Sequence, residues 1–409
     1  MRTNTPKPSP TLAASLVLGV GIALLRCGPA AAQPTPLTIG VIEDLSGIYS
    51  SQTGNGQVVA AQMAIDDFGG AVLGRPIKII VADHQNKADV ASTTARRWFD
   101  TDGVAMIAGL GNSAVALAVQ SVARDKGRID IVTSAGSSDL TGRECSSTGF
   151  HWAFDTEAVG NVVASTVTRA GGKRWYFISA DYAFGAALQA TATRFVLADG
   201  GDVVGVSKVP IATADYSTYL LAAQSTNAQV VALANGGDDT DNAIKQAAEF
   251  GLTAQGLKLA ALSMYINNVA GLGLKESEGL YMSESFYWDL NDDTRAWSKR
   301  YFDKVHVMPN MLQAGMYSGV THYLKAIAAA GSDDGLKVAA VMHATKVNDF
   351  YTKDAPIRPD GLVIRPMYLL QVKTPAESKG PWDLLKVIAI VPGEQAFGQP
   401  NSACMLNGH

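Results

Sequence analysis

The sequence is short of charge and of cysteine. Of its 409 residues, 17% are charged and three are cysteine: Cys27, Cys145 and Cys404. Lys and Arg number 33 against 37 Asp and Glu, a formal charge of −4 at pH 7. A chain this balanced offers no basic face, which argues against a nucleic-acid partner. Its six histidines show no HExxH or other metal-ligand spacing, so no metal site is expected. There is no G-x-S-x-G elbow, and Ser137 and Ser138 have no sequence-evident base. Acid pairs such as Asp66–Asp67 and Asp292–Asp293 stand side by side, as solvated helix faces and caps do. These absences point away from an enzyme and away from a resident cofactor.

Membrane-length apolar runs are missing too. The run from Leu12 to Leu25 falls short of the roughly 20 residues that a span requires. It follows Arg2 and Lys7 and precedes "GPAAAQ", the pattern of a secretory signal occupying residues 1–32 and cleaved after Ala32. Arg26 is a poor residue directly before a lipidated cysteine, so free export is expected rather than lipidation at Cys27. Loss of the signal removes Arg2, Lys7 and Arg26 and takes the formal charge to −7, with 377 residues remaining. That length suggests about two domains. Two cysteines then remain, neither in CxxC spacing. In an oxidising compartment Cys145 and Cys404 are expected to form a disulfide that ties the tail to the first lobe.

What the chain does have is rhythm. "LTIGVIED" reads as a near-continuous apolar strand, and the next helix repeats Val58, Ala61, Ile65 and Phe68 at helical spacing. Strands at 77–83, 104–110 and 129–135 follow, with helices between them. The pattern restarts near 151–160 and gives further strands at 173–181, 202–212, 229–235 and 257–265. Apolar strands joined by helices imply parallel sheets in an α/β fold. Two long helical segments, "DDTRAWSKRYFDKV" and "NMLQAGMYSGVTHYLKAIAAAG", come next, before strand-like "GLVIRPMYLLQVK" and "LLKVIAIV". No flexible linker separates the halves. The boundaries near 154, 286 and 366 read as ordered crossings that form a hinge.

Ligands of open parallel sheets lie beyond the carboxyl ends of the strands. The loops expected there are "EDLSGIYSSQTGNG", "GLGNSAV", "SAGSSDLTG", "SADYAFG" and "NGGDDTDN". Small, hydroxylated loops can cradle an anion with N–H and O–H donors and no charge. "GLGNSA" fits G-x-G-x-x-A, but it follows the third strand of an exported chain, where a dinucleotide is not expected. The acidic run "DDTDN" reads as a cap for a helix starting near Asp241. Tyr49, Tyr182, Phe184, Tyr265, Phe286, Tyr287 and Trp288 fall at strand ends or crossings. They would either wall a small-ligand cleft or pack the hinge.

Taken together, "LTIGVIEDLSGIYSSQTGNGQVVAAQMAIDDFGG", "SAGSSDLTG", "SADYAFG", "AIKQAAEFGL" and the two long helical segments resemble the leucine/isoleucine/valine-binding protein family. These are periplasmic solute-binding proteins of ABC importers. The resemblance runs from about Leu37 to residue 392. It implies a type 1 periplasmic binding fold, two Rossmann-like lobes with parallel-sheet cores joined by three crossovers. Lobe 1 would hold 37–154 and 287–366, lobe 2 would hold 155–286 and 367–392, and 393–409 would be a C-terminal tail.

By position, the resemblance places Asn112, Ser113, Ala135, Gly136, Ser137 and Ser138 at a ligand carboxylate. Tyr182, Asn235, Asp238, Met264 and Tyr265 would be contacts of the second lobe, and Tyr317 a first-lobe position near the cleft. Tyr49 and Phe184 join the ligand set as strand-end aromatics. Where the amino-acid binders carry a Glu for the ligand ammonium, "LSMYIN" has no acid, unless Asp238 or Asp239 substitutes. "ADHQNKADV", "NSAVALAV" and "SDLTGRECSSTGFHWAFDT" resemble the members that take up aromatic acids. The expected ligand is therefore a small aromatic carboxylate, delivered by a periplasmic monomer to an inner-membrane ABC permease and its ATPase. The alternatives are a binder of branched-chain or other amino acids, a sensor module of the same fold, and an exported hydrolase acting through Ser137.

Overall fold

The computed structural model describes residues 1–10, 34–253 and 255–407. Residues 1–10 are exposed chain without secondary structure. The apolar centre of the expected signal, Cys27 and Ala32 all lie outside the described residues. Residues from Thr35 onward form one compact unit.

The first half runs β1 (Leu37–Glu43), α1 (Gly54–Phe68), β2 (Ala71–Val72), β3 (Arg75–Asp83), α2 (Ala88–Asp100), β4 (Val104–Gly109), α3 (Ser113–Asp125), β5 (Ile129–Val132) and β6 (Gly149–His151). The second runs α4 (Thr156–Arg169), β7 (Arg174–Ala180), α5 (Ala183–Ala198), β8 (Asp202–Val209), α6 (Ser217–Ser225), β9 (Val230–Ala234), α7 (Asp238–Glu249), β10 (Lys258–Ala261), α8 (Ile266–Leu272), α9 (Leu274–Ser277) and β11 (Tyr281–Glu284). The chain then gives α10 (Asp292–Val305), α11 (Met311–Ala330), α12 (Gly335–Ala344), β12 (Met367–Val372), β13 (Leu385–Val391) and α13 (Gly393–Ala396).

Among the described residues two sheets form, ordered β2-β3-β1-β4-β5-β6 and β13-β12-β11-β10-β9-β7-β8. β1, β3, β4, β5 and β6 are parallel, as are β7 to β11, while β2, β12 and β13 pair antiparallel. Strands covered by helices on both faces are predominantly apolar, here with Thr38, Glu43 and Asp130 as buried polar exceptions. β1, β4, β5 and β9 accordingly have every residue buried. In each sheet the chain order turns back beside the first long strand, between β1 and β4 and between β7 and β9. Such switch points leave a crevice at the strands' carboxyl ends.

The chain passes from the first sheet to the second between His151 and Thr156. It returns between Glu284 and Asp292, and crosses again between Val363 and Met367. α10 and α11 return to pack on α1. Asn310 caps α11 through a reciprocal pair with Gln313, and Gly331 ends the helix in the left-handed region. Cys145, in the loop before β6, is bonded to Cys404, with Cα atoms 5.7 Å apart. The tail after β13 therefore reaches back to the first sheet.

Some elements differ from the sequence reading. The third helix after the crossing, α12, and the short edge strand β6 were not expected. The "DDTDN" run does not precede its helix; Asp238, Asp239 and Asp241 form the first turn of α7, and Gly237 is the cap. Three acids there meet the positive end of the helix dipole. β5 and β10 stop three and four residues short of the expected strands, and residues just beyond them line the cavity described below.

Candidate functional site

A cavity lies where the carboxyl ends of the two sheets face each other. It is lined by Tyr49, Gln52 and Thr53 after β1, Gly111 and Ser113 after β4, and Ser134, Ala135 and Gly136 after β5. Opposite stand Tyr182 and Phe184 after β7, Gly236 after β9, and Ser263 and Tyr265 after β10. Phe154 of the first crossing and Leu312 of α11 complete it. The free volume between these walls is about 20 Å³, room for about one water, so the two walls stand nearly in contact.

Local chemistry sets each wall. Asp44 accepts the N–H groups of Gly47 (2.7 Å) and Tyr49 (2.9 Å) and the Asn86 amide (2.7 Å), which curls the loop after β1 and turns Tyr49 inward. The Asn112 side chain caps α3 through Ala114 and Val115, so its carbonyl is used within the helix and the next residue, Ser113, lines the cavity. The Ser113 hydroxyl accepts the Ser137 N–H at 3.2 Å and joins the two donor loops. Buried His151 meets the Ala135 carbonyl through Nε2 at 2.8 Å. Burial pushes its imidazole down to about 4, so it is neutral and Nε2–H donates. Gly136 allows close approach, because a Cβ there would lie 2.6 Å from the Phe154 ring and 3.0 Å from Phe184.

The two halves meet directly. The Tyr49 and Tyr182 hydroxyls are 2.6 Å apart, and Gln52 Nε2 donates to Asn268 Oδ1 at 2.8 Å. The Asp238 N–H donates to the Ile48 carbonyl at 3.1 Å. Beneath the floor, Gln57 Nε2 donates to the Ser134 hydroxyl (2.9 Å), which donates to Glu43 Oε1 (2.8 Å). Gln57 Oε1 is buried there without a partner, and Glu43 Oε2 without a well-aligned one.

Of the residues expected at the ligand, the structure brings Tyr49, Ser113, Ala135, Gly136, Tyr182, Phe184 and Tyr265 to this cavity. Others have different occupations. Ser137 and Ser138 lie behind the wall, Ser138 engaged with Thr156. Asn235 is buried between Tyr216 and Thr240. The Asp238 side chain is exposed, and Asp239 accepts the N–H groups of Ala212 and Thr213. Met264 is buried in the second core. Tyr317 donates to Asp67 at 2.6 Å on the outer face. Phe286 packs against Trp297, Phe350 and Tyr351 in the hinge, while Tyr287 and Trp288 donate to the carbonyls of Leu385 and Trp382.

Gln52, Thr53, Gly111, Ser134, Phe154, Ser263 and Leu312 also line the cavity, outside the expected ligand set, and Gly236 falls within the expected 235–238 stretch. Gln52, Thr53, Ser134 and Gly236 sit in loops already recognised as strand ends, which was the available signal. No acidic or basic side chain is among the lining residues. Among the described residues, no three His, Cys, Asp or Glu gather to hold a metal, and no helix is long and apolar enough to cross a membrane.

A family model described as periplasmic binding protein matches residues 36–381. The chain is similar to a periplasmic binding protein from Burkholderia mallei, 47% identical over 91% of this chain and 99% of that one, with a TM-score of 0.88. It is similar also to a branched chain amino acid ABC transporter periplasmic ligand-binding protein from Burkholderia xenovorans LB400. There the identity is 39%, the coverage 91% and 100%, and the TM-score 0.81. A solute binding protein of an ABC transporter from Rhodopseudomonas palustris BisB5, in complex with 3,4-dihydroxy benzoic acid, shares the fold. It is 22% identical over 88% and 98%, with a TM-score of 0.80. No curated protein matches the chain.

Proposed function

Because this chain belongs to the periplasmic binding protein family, we propose that it captures a small aromatic carboxylate, of benzoate or hydroxycinnamate type, for an ABC importer. It works in the periplasm as a monomer, closes its lobes over the ligand, alters no bond in it, and presents the closed form to a membrane permease. The proposed lobes are 37–154 with 287–366, and 155–286 with 367–392.

The observation that carries this reading is the make-up of the cavity wall. Tyr49, Phe154, Tyr182, Phe184 and Tyr265 supply rings from both sides, and the Ser113 hydroxyl and the Ala135–Gly136 backbone supply donors, while the Ser134 hydroxyl gives its proton to Glu43. A benzoate-type anion needs that combination, an apolar slot with a few donors at one end. The B. xenovorans relative's description favours a second reading, a branched-chain amino acid. Such a ligand brings an ammonium, and no lining carboxylate meets it. Burying an unpaired ammonium costs several kcal/mol.

A thermal-shift panel of benzoates, phenylacetates and hydroxycinnamates beside leucine and valine tests the proposal. An aromatic acid at about 100 times Kd should add roughly 2.7 kcal/mol of stability. Stabilisation by leucine or valine alone would refute the aromatic reading.

A further inference from the structure

Glu43 ends β1 inside the protein, at the lobe 1 side of the cavity. Its Oε1 accepts from Ser134, a lining residue, and its Oε2 lies where a Cβ on lining Gly111 would stand 2.6 Å away. Lining Thr53 adjoins the same point at 3.4 Å. Glu43, Gln57 and Ser134 thus form a buried polar floor in which Gln57 Oε1 has no donor and Glu43 Oε2 has no well-aligned one, although the Asp44 and Gly111 N–H groups lie close to that carboxyl. Buried acceptors left so are rare in folded proteins.

Among the described residues, no cation stands near to hold this carboxyl ionised. The Ser134 hydroxyl and the Asp44 and Gly111 N–H groups favour the ionised form and the Asp44 charge opposes it, but burial outweighs them all. From β3, His84 faces this strand end and is itself driven to about 4 by burial, hence neutral. The ends of β4 and β5 and the start of α1 bring only Gly109, Gly111, Ser134, Thr53 and Gln57 against it. Burial pushes the Glu43 carboxyl up to about 8.

We propose that Glu43 determines the class of ligand: it stays protonated when the site fills, keeps the floor neutral, and offers its Oε2 proton toward an anionic head group. A site built this way takes a carboxylate that carries no ammonium. An ionised Glu43 would instead repel that carboxylate and select for an ammonium. The inference rests on the reading of the cavity as a carboxylate site.

Linkage makes it testable. In calorimetric titrations with benzoate and 4-hydroxybenzoate from pH 6 to 9.5, affinity should hold to about pH 8 and then fall. The fall should approach tenfold per pH unit and be accompanied by uptake of one proton. Glu43→Gln, a fixed neutral donor, should bind within tenfold of the native protein at pH 7 and lose the alkaline fall. A pH-flat native protein, or a loss beyond 100-fold in Glu43→Gln at pH 7, overturns the proposal. So does leucine binding that strengthens with pH.

A ligand-free arm separates this failure from failure of the ligand class. In denaturant unfolding, the native protein should lose stability from pH 6 to pH 9 relative to Glu43→Gln. Parallel curves would show Glu43 ionised throughout and refute its role whatever the ligand.

Discussion

The hydroxyls of Tyr49 and Tyr182 meet at 2.6 Å across the cleft, one rooted after β1 and the other after β7. Burial pushes both phenols further above their ordinary range, so both are neutral and one donates to the other. Each ring also lines the cavity. Under the proposed function, closure and binding would be coupled through these two side chains.

Tyr49→Phe keeps the ring and removes the bond. A neutral hydrogen bond contributes about 1 kcal/mol, so affinity for an aromatic acid should fall about fivefold. Calorimetry of the variant checks this, and unchanged affinity would show that the contact plays no part in closure.

Ser113→Ala removes a cavity hydroxyl and the acceptor of the Ser137 N–H. Affinity for benzoate-type acids should drop roughly 5- to 30-fold, the worth of a hydrogen bond to a charged group or slightly less. Titration of the variant measures it. Comparable binding would place the carboxylate elsewhere in the cavity.

The Cys145–Cys404 bond closes a loop across 259 positions of sequence. Along the way the tail is held by Arg358, which donates to the Gly398 carbonyl, and by Asn161, which donates to those of Gln395 and Ala396. Reduction should cost about 2–4 kcal/mol of stability. Denaturant melts with and without reductant provide the comparison. Identical midpoints would mean that the noncovalent contacts suffice.

Glu284 shares the pH behaviour of Glu43. Its carboxylate accepts the Ile266 N–H at 3.3 Å and the Met311 N–H at 3.0 Å, joining the starts of α8 and α11 across the hinge. Burial nonetheless pushes it up to about 8, as it does Glu43. The folded chain thus keeps these two protons, and that of buried Asp130, whose carboxyl burial likewise pushes well above its ordinary range, where the unfolded chain has released them. The stability tied to Glu43 and Glu284 is complete below about pH 4.5 and lost as pH rises through 8. His84 and His151, lowered to about 4, act in the opposite sense but below about pH 6.5. Between pH 7 and 8.5 the unfolding free energy should therefore fall, Glu43 and Glu284 each contributing roughly 1 kcal/mol of the fall. Glu284→Gln should make that fall smaller by roughly 1 kcal/mol. Chemical denaturation at fixed temperature decides, and stability that rises over this window would contradict the assignment.

Much of this was legible in the residues. Uninterrupted apolar strands such as "LTIGVIE" announce parallel sheets, and their carboxyl-end loops hold most of the cavity wall. Individual side chains were less legible because direction in a loop is set by contacts made across the fold. Asn112 and Ser113 are neighbours in one loop, yet one caps α3 and the other lines the cavity. Tyr317 sits on a helix that reaches the cleft at Leu312, but more than a turn further on it faces Asp67. Glu43 could not be read at all. It looks like the polar end of a strand, and only the pairing of β1 beside β4 brings Gly111 over its carboxyl.

The most direct test of the central claim is a crystal structure of the protein grown with benzoate or 4-hydroxybenzoate. The account predicts one unaltered molecule in the cavity, its carboxylate at Ser113 and the Ala135–Gly136 backbone, its ring among Tyr182, Phe184 and Tyr265. An empty cavity at saturating acid, a ligand bound elsewhere, or a chemically changed molecule would contradict it.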